Sequence, residues 1–201
     1  MAVLATDNFN RANADPIGTP WATTGDSQHF TIASNVATPA SLVSDAGAFE
    51  NTVTWPNDQY SQAQLTVTGT GAGGTGLGVG VRMASGINYY RVVTDHGVSN
   101  NVELAKLVGG SYTQIWQRTQ SWTDGDTFYI EAQGTAIVVK RNGTAIGASS
   151  TDSSLASGKP GIVYSSVVVA ATLDNWEGGD FSSGFPGGDE GGLWYMSVER
   201  D

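Results

Sequence analysis

A chain of 201 residues suits one β domain, a size at which roughly 70% of the unfolded surface is buried on folding. A net charge of −10 argues against nucleic acid and against anionic membranes, because phosphate binding needs a cationic surface, while leaving room for divalent cations. The absence of cysteine excludes a disulfide framework and thiolate metal sites, and 27 glycines with only 14% charged residues point to short strands and tight turns.

The opening MAVLATDNFNRA lacks the basic region and long apolar run of a Sec-type signal peptide, and no stretch approaches the roughly 18 apolar residues of a membrane span. The protein is therefore expected to act inside the cell, or to leave it by assembly, lysis or a non-classical route.

The chain begins with an apolar stretch at 2–6, then Asp7-Asn8-Phe9-Asn10-Arg11 and a Pro/Gly-punctuated turn at 15–20 ahead of Trp21. Short strands are expected at 30–33, 41–43 and 49–54. In 60–68 (YSQAQLTVT), Ala63, Leu65 and Val67 fall on one side. Residues 69–76 form a glycine-dense loop. GAGGTGLG resembles a nucleotide-binding loop only by letter, since a strand follows it and no Lys. In 77–83, Leu77, Val79 and Val81 share a face, leaving Gly78 and Gly80 on the other, where a neighbouring backbone or bulky side chain can approach.

Strands follow at 87–94, 102–108 and 112–118, separated by glycine turns. The clearest stretch is 128–146 (FYIEAQGTAIVVKRNGTAI). Phe128, Ile130 and Ala132 alternate with Tyr129, Glu131 and Gln133, and Asn142-Gly143 is a strong hairpin signal. This hairpin is expected at the centre of an antiparallel sheet. Further strands are expected at 162–164 and 167–176. Turn signals roughly every 8–12 residues, without helix-period segments or repeats, mark an all-β sandwich or barrel.

The domain is read as 1–177. Residues 178–192 are Gly- and Ser-rich, a flexible linker with a reach of roughly 20 Å. They carry an apolar arm of Leu193, Trp194, Tyr195, Met196 and Val198, which either packs on its own sandwich or adds to a neighbouring subunit of a homo-oligomer.

Several segments resemble the concanavalin-A-like jelly roll in its laminin-G-like and glucanase-like branch. They are DNFNRA…GTPW, GLGVGVRMASGINYYRVV, DGDTFYIEAQGTAIVVKRNGT and KPGIVYSS…ATLDNW. The resemblance spans roughly Asp7 to Glu177 and implies a two-sheet antiparallel jelly-roll β-sandwich. Stand-alone domains with the DNFNRA opening also resemble particle proteins of tailed bacteriophages. That likeness implies a non-catalytic decoration or attachment module on the virion surface. Its partners would be other virion proteins or copies of itself, and a cell-surface glycan. The alternatives are a free-standing carbohydrate-binding module and a glycoside hydrolase or lyase of the same fold.

Retaining hydrolysis uses two carboxyls about 5 Å apart, commonly from one strand. Glu50, Glu103, Glu131 and Glu177 each lack such a partner, and Asp174 lies three residues from Glu177, on the opposite face of a regular strand. No enzyme is therefore expected. His29 and His96 have no metal-ligand spacing. In jelly rolls the first and last strands lie side by side, so Asp7 and Asp174, with Asn8 and Asn175, are candidate Ca²⁺ ligands. The alternative is that both cap turns.

Tyr89, Tyr90, Tyr112, Trp116 and Trp122, with Gln114 and Arg118, are the candidate glycan contacts. Trp116 is expected to share a face with Gln114 and Arg118, opposite Ile115, and an aromatic ring flanked by amide and guanidinium suits a sugar. The alternative places Trp116 in the core and Ile115 outward.

Overall fold

A computed structural model describes residues 1–24, 29–41, 46–67, 76–84, 87–95, 101–165 and 171–181. Residues 42–43, the loop at 69–75, His96, 167–170, and the linker and arm from 182 onward lie outside them.

Strands come in the order β1 (Ala2–Asp7), β2 (Trp21–Thr23), β3 (Phe30–Ala33), β4 (Val36–Pro39), β5 (Ala46–Glu50) and β6 (Gln59–Val67). They continue with β7 (Gly76–Ala84), β8 (Asn88–Asp95), β9 (Asn101–Val108), β10 (Ser111–Thr119) and β11 (Asp126–Gln133). The last are β12 (Ala136–Arg141), β13 (Thr144–Ala145), β14 (Ser150–Thr151), β15 (Lys159–Ser165) and β16 (Ala171–Asp180). There is no helix among the described residues.

Sheet A runs β13-β12-β11-β6-β16-β4-β3, with β1 also on β16 and β14 on β12; sheet B runs β10-β9-β8-β7-β15-β5-β2. Every strand pairing among the described residues is antiparallel, so the protein is a two-sheet jelly-roll sandwich. On the facing sides of the two sheets, Leu65, Phe128, Ile130 and Leu173 of sheet A meet Leu77, Val79, Val92 and Leu104 of sheet B, all without exposure.

Asn142 and Gly143 have φ of 48° and 79°, as the tight hairpin requires. The hairpin is not central, however. β6, nine residues long and paired on both sides, holds the middle of sheet A, whereas the short β13 ends it. The strand expected at 49–54 ends at Glu50. There the carboxylate accepts from the Thr52 and Val53 amides at 2.8 and 3.1 Å and from the Trp55 indole at 2.8 Å, pulling the chain into a loop. At the other end, β16 runs three residues past Glu177, because Gly178 and Gly179 pair with β1 and β6 at once.

The DNFNRA…W opening is a clasp. Asp7 accepts the Phe9 amide, both oxygens meet the Arg11 guanidinium, and Oδ2 takes the Trp21 indole N–H, each at 2.7 Å. Trp21 then meets Trp176 edge-on at 4.8 Å, fastening the first residues to the last strand.

A second polar tie joins the two sheets. Asp152 accepts from the Tyr90 hydroxyl at 2.6 Å and from the Lys106 ammonium at 2.5 Å, and the Leu155 amide donates to Tyr90 at 3.0 Å. Burial alone would raise the Asp152 pKa, but the Lys106 and Tyr90 hydrogen bonds hold it well below the usual carboxylate range. Its folded pKa is depressed, so its contribution is present above the ordinary value of about 4 and is lost as pH falls through the folded one. Tyr90 is pushed up to about 12, by burial and then by Asp152. That contribution is present below the ordinary tyrosine value of about 10 and is lost as pH rises through the folded one. Urea melts from pH 2 to 11 should show stability falling at both ends, and Asp152→Asn should flatten the acid limb. An acid limb identical in the variant would contradict this assignment.

Candidate functional site

The strand pairing gives sheet B a second apolar layer, on the face turned away from the core. Phe49, Met83, Tyr89, Val93, Leu107 and Val163 form it, each 9% exposed or less. As expected, the glycines at 78 and 80 admit close neighbours. A Cβ on Gly78 would lie 1.9 Å from the Val92 carbonyl oxygen, and Met83 Sδ lies 3.0 Å from where a Cβ of Gly80 would stand. Met83 reaches this face because Arg82, at φ 52°, sits in a bulge between Val81 and Ala84 that shifts the alternation.

On the same face, towards the β10 edge, lies a polar group. Tyr112 is 47% exposed, the one exposed aromatic among the large apolar side chains of the described residues. Its hydroxyl donates to Glu103 Oε2 at 2.8 Å and lies 3.4 Å from Gln114 Oε1. The Arg91 guanidinium sits 5.5 Å from the Tyr112 ring centroid, 3.6 Å from Glu103 Oε1 and 3.3 Å from Ser165 Oγ. Arg91 is 2% exposed, and its buried guanidinium lies against the Tyr112 ring in cation–π contact. The arrangement offers a π face, a carboxylate and an amide side by side.

At the other end of the face, where β5, β7 and β15 converge, an open cleft of about 630 Å³ is lined by Phe49, Asn51, Thr52, Trp55, Met83 and Lys159. The Lys159 ammonium lies 5.4 Å over the Phe49 ring and contacts the Asn51 side-chain oxygen. The Glu50 carboxylate shapes this wall. Burial opposes its ionisation, but hydrogen bonds from Thr52, Trp55 and Val53 outweigh that and lower its pKa, so it serves the loop as a fixed anion.

The expected glycan residues are dispersed. Tyr112 and Gln114 are exposed on the outer face of sheet B, and Tyr89 is on that face but buried in its apolar layer. Tyr90 is in the core with its hydroxyl on Asp152, and Trp122 is in the core, edge-on to Phe128 at 5.7 Å. Trp116 does not share a face with Gln114. The register shifts between Gln114 and Trp116, and this bulge at Ile115 turns Trp116 toward the core side, paired with Leu104. Its indole donates to Ser150 Oγ at 3.1 Å, and Arg118 lies 5.4 Å over its ring. Ile115 also packs on the main core rather than on the glycine face. Arg91, Phe49, Asn51, Trp55 and Lys159 were missed, and Glu103 was weighed only as a hydrolytic carboxylate. The polar residues among them carry no local motif, and pairing across strands brings them together.

β1 and β16 lie side by side, yet Asp7 and Asp174 do not fit a calcium site. The Asp7 oxygens are already engaged by Arg11, Trp21 and the Phe9 amide, so a cation would have to displace a guanidinium. Asp174 accepts the Asn175 amide at 2.7 Å, which is the turn-capping alternative. No group of three or more His, Asp or Glu side chains able to hold a metal occurs among the described residues. Asp174 and Glu177 share the outer face of sheet A instead of facing opposite ways. The register slips at Asn175, placing them opposite Gln64 and Gln62, and Glu177 is occupied by Tyr60 and Gln62 at 2.8 and 3.0 Å. His29 pairs with Asp15 near the surface.

The sandwich has the concanavalin-A-like jelly-roll fold, and similar solved structures share it. Carbohydrate-binding module CBM66 from Bacillus subtilis superposes with a TM-score of 0.61 at 18% identity, over 79% of this chain and 94% of that one. The VIP36 exoplasmic/lumenal domain in its Ca²⁺/Man-bound form gives 0.60 at 11%, over 81% and 84%. The GH43 protein BlXynB from Bacillus licheniformis gives 0.64 at 11%, covering 88% of this chain but 39% of that one. No family model and no curated protein matches the sequence.

Proposed function

We propose that the protein is a non-catalytic carbohydrate-binding module that takes a glycan on the exposed parts of the outer face of sheet B. The observation that carries this reading is Tyr112, an exposed ring braced from beneath by Arg91 and fixed at its hydroxyl by Glu103. Sugar CH groups would lie on the ring, and hydroxyls would meet Glu103 and Gln114. Two of the similar folds, CBM66 and the Man-bound VIP36 domain, are described as sugar binders, which supports the same reading. The carboxylates on and beside this face also favour binding over turnover, since Glu50 is enclosed by donors and Glu103 is held by Tyr112 and Arg91.

A glycan array should return at least one oligosaccharide class. Tyr112→Ala should weaken it about 10-fold or more with little change in melting temperature, from the loss of about 1–2 kcal/mol of ring contact and a hydrogen bond. Undiminished affinity in both Tyr112→Ala and Lys159→Met, or release of new reducing ends from the glycan, would overturn the reading.

The virion-surface role suggested by the opening segment is a proposal about where such a module works. Its support is the DNFNRA resemblance alone, and the Asp7 clasp gives that motif a structural purpose common to any setting. Co-purification with phage particles tests it.

A further inference from the structure

β1 is an edge strand with unusually apolar surroundings. Met1 is 72% exposed, Val3 54% and Leu4 37%. The strand pairs with β16 from Ala2 opposite Asp180 to Asp7 opposite Trp176, and among the described residues it pairs with no other strand. Its outward edge therefore presents backbone N–H and C=O groups between apolar side chains, a template for one more strand.

The rest of the chain starts beside this edge. β16 ends at Asp180, whose carboxylate accepts the Ala2 amide at 3.2 Å, and Phe181 sets its ring against Tyr60 at 6.1 Å. The sequence then continues as SSGFPGGDEGG and LWYMSV, with the latter at 193–198. Those residues lie outside the described structure, but their composition and length bear on the edge. Eleven residues of Gly-rich chain reach roughly 17–20 Å, and six residues of strand extend about 20 Å, so any register along β1 is accessible. LWYMSV contains neither Gly nor Pro, and in extended form it puts Trp194, Met196 and Val198 on one side. Tethering makes such docking intramolecular, at an effective concentration in the mM range, so even weak edge pairing is populated.

We propose that residues 193–198 add as a strand to the open edge of β1 in the same chain, covering Val3 and Leu4. This does not depend on the glycan reading.

The chain has no cysteine, which permits a clean cross-linking test on the full-length protein. Leu4→Cys is combined in turn with a single cysteine at each position from 193 to 198. The control set replaces Leu4→Cys with Val108→Cys, 39% exposed on sheet B. Disulfides to position 4 should form at least 10-fold faster than to position 108, and within monomers. Rates equal to the control overturn the proposal, as do disulfides found only between chains, which would assign the edge to a second copy. Independently, β1 amides pointing away from β16 should exchange at least 10-fold faster in Trp194→Asp/Met196→Asp than in the parent. Unchanged exchange likewise overturns it.

Discussion

Arg82→Met is expected to destabilise the fold by about 4 kcal/mol, seen as a fall of roughly 8–15 °C in melting temperature. The guanidinium is 2% exposed and donates to three carbonyls: Asn57 at 3.1 Å, Leu155 at 2.8 Å and Gly134 at 2.7 Å. Asp58 lies 3.6 Å away and itself accepts the Gly134 amide at 2.8 Å. One side chain from sheet B thus fastens the loop before β6, the β11–β12 turn and the loop before β15. Methionine keeps the apolar stem but strands those acceptors, and each buried unsatisfied group costs about 1–3 kcal/mol. Arg82→Lys retains the charge with fewer directed donors and should fall between parent and methionine variant. A shift of less than about 2 °C for Arg82→Met would show that these bonds contribute little.

Gly78→Ala should cost about 3 kcal/mol, although it adds only a methyl group to a strand where alanine is ordinarily the better residue. The added Cβ would stand 1.9 Å from the Val92 carbonyl oxygen and 3.0 Å from Val93 Cα, so the β7–β8 ladder itself must move. Gly109→Ala separates this cause from backbone conformation. Gly109 has φ +57° and nothing within 4 Å of an added Cβ, so only the left-handed conformation is penalised, by about 1 kcal/mol. Equal urea midpoints for the two variants would contradict the close-approach explanation.

The alternation in 60–68, 77–83 and 102–108 was enough to place β6, β7 and β9 to within a residue or so, because period-2 burial is written locally. Bulges are not. One extra residue reverses every later side chain, and the slips at Ile115 and Asn175 reversed the faces assigned to Trp116 and Glu177. Tyr89 and Tyr90 are adjacent in one strand, so they never could line a single face, and the alternation rule alone separates them. Tyr112 and Gln114 were both among the candidate glycan residues, but Gln114 was paired with Trp116 instead of Tyr112. Their partners Arg91 and Glu103 come from β8 and β9, and only the register that puts Arg91 opposite Ala105 and Val93 opposite Glu103 joins them. The same non-locality hid the Lys159 cleft, built from β5, β7 and β15.

Amide chemical-shift mapping with the oligosaccharide selected on the array decides where ligand sits. Binding on the outer face of sheet B predicts shifts at Glu103, Tyr112, Gln114 and Ser165, extending to Asn51 and Lys159. Shifts centred on Tyr60, Tyr129 and Glu177 of sheet A, with Tyr112 unmoved, would contradict it.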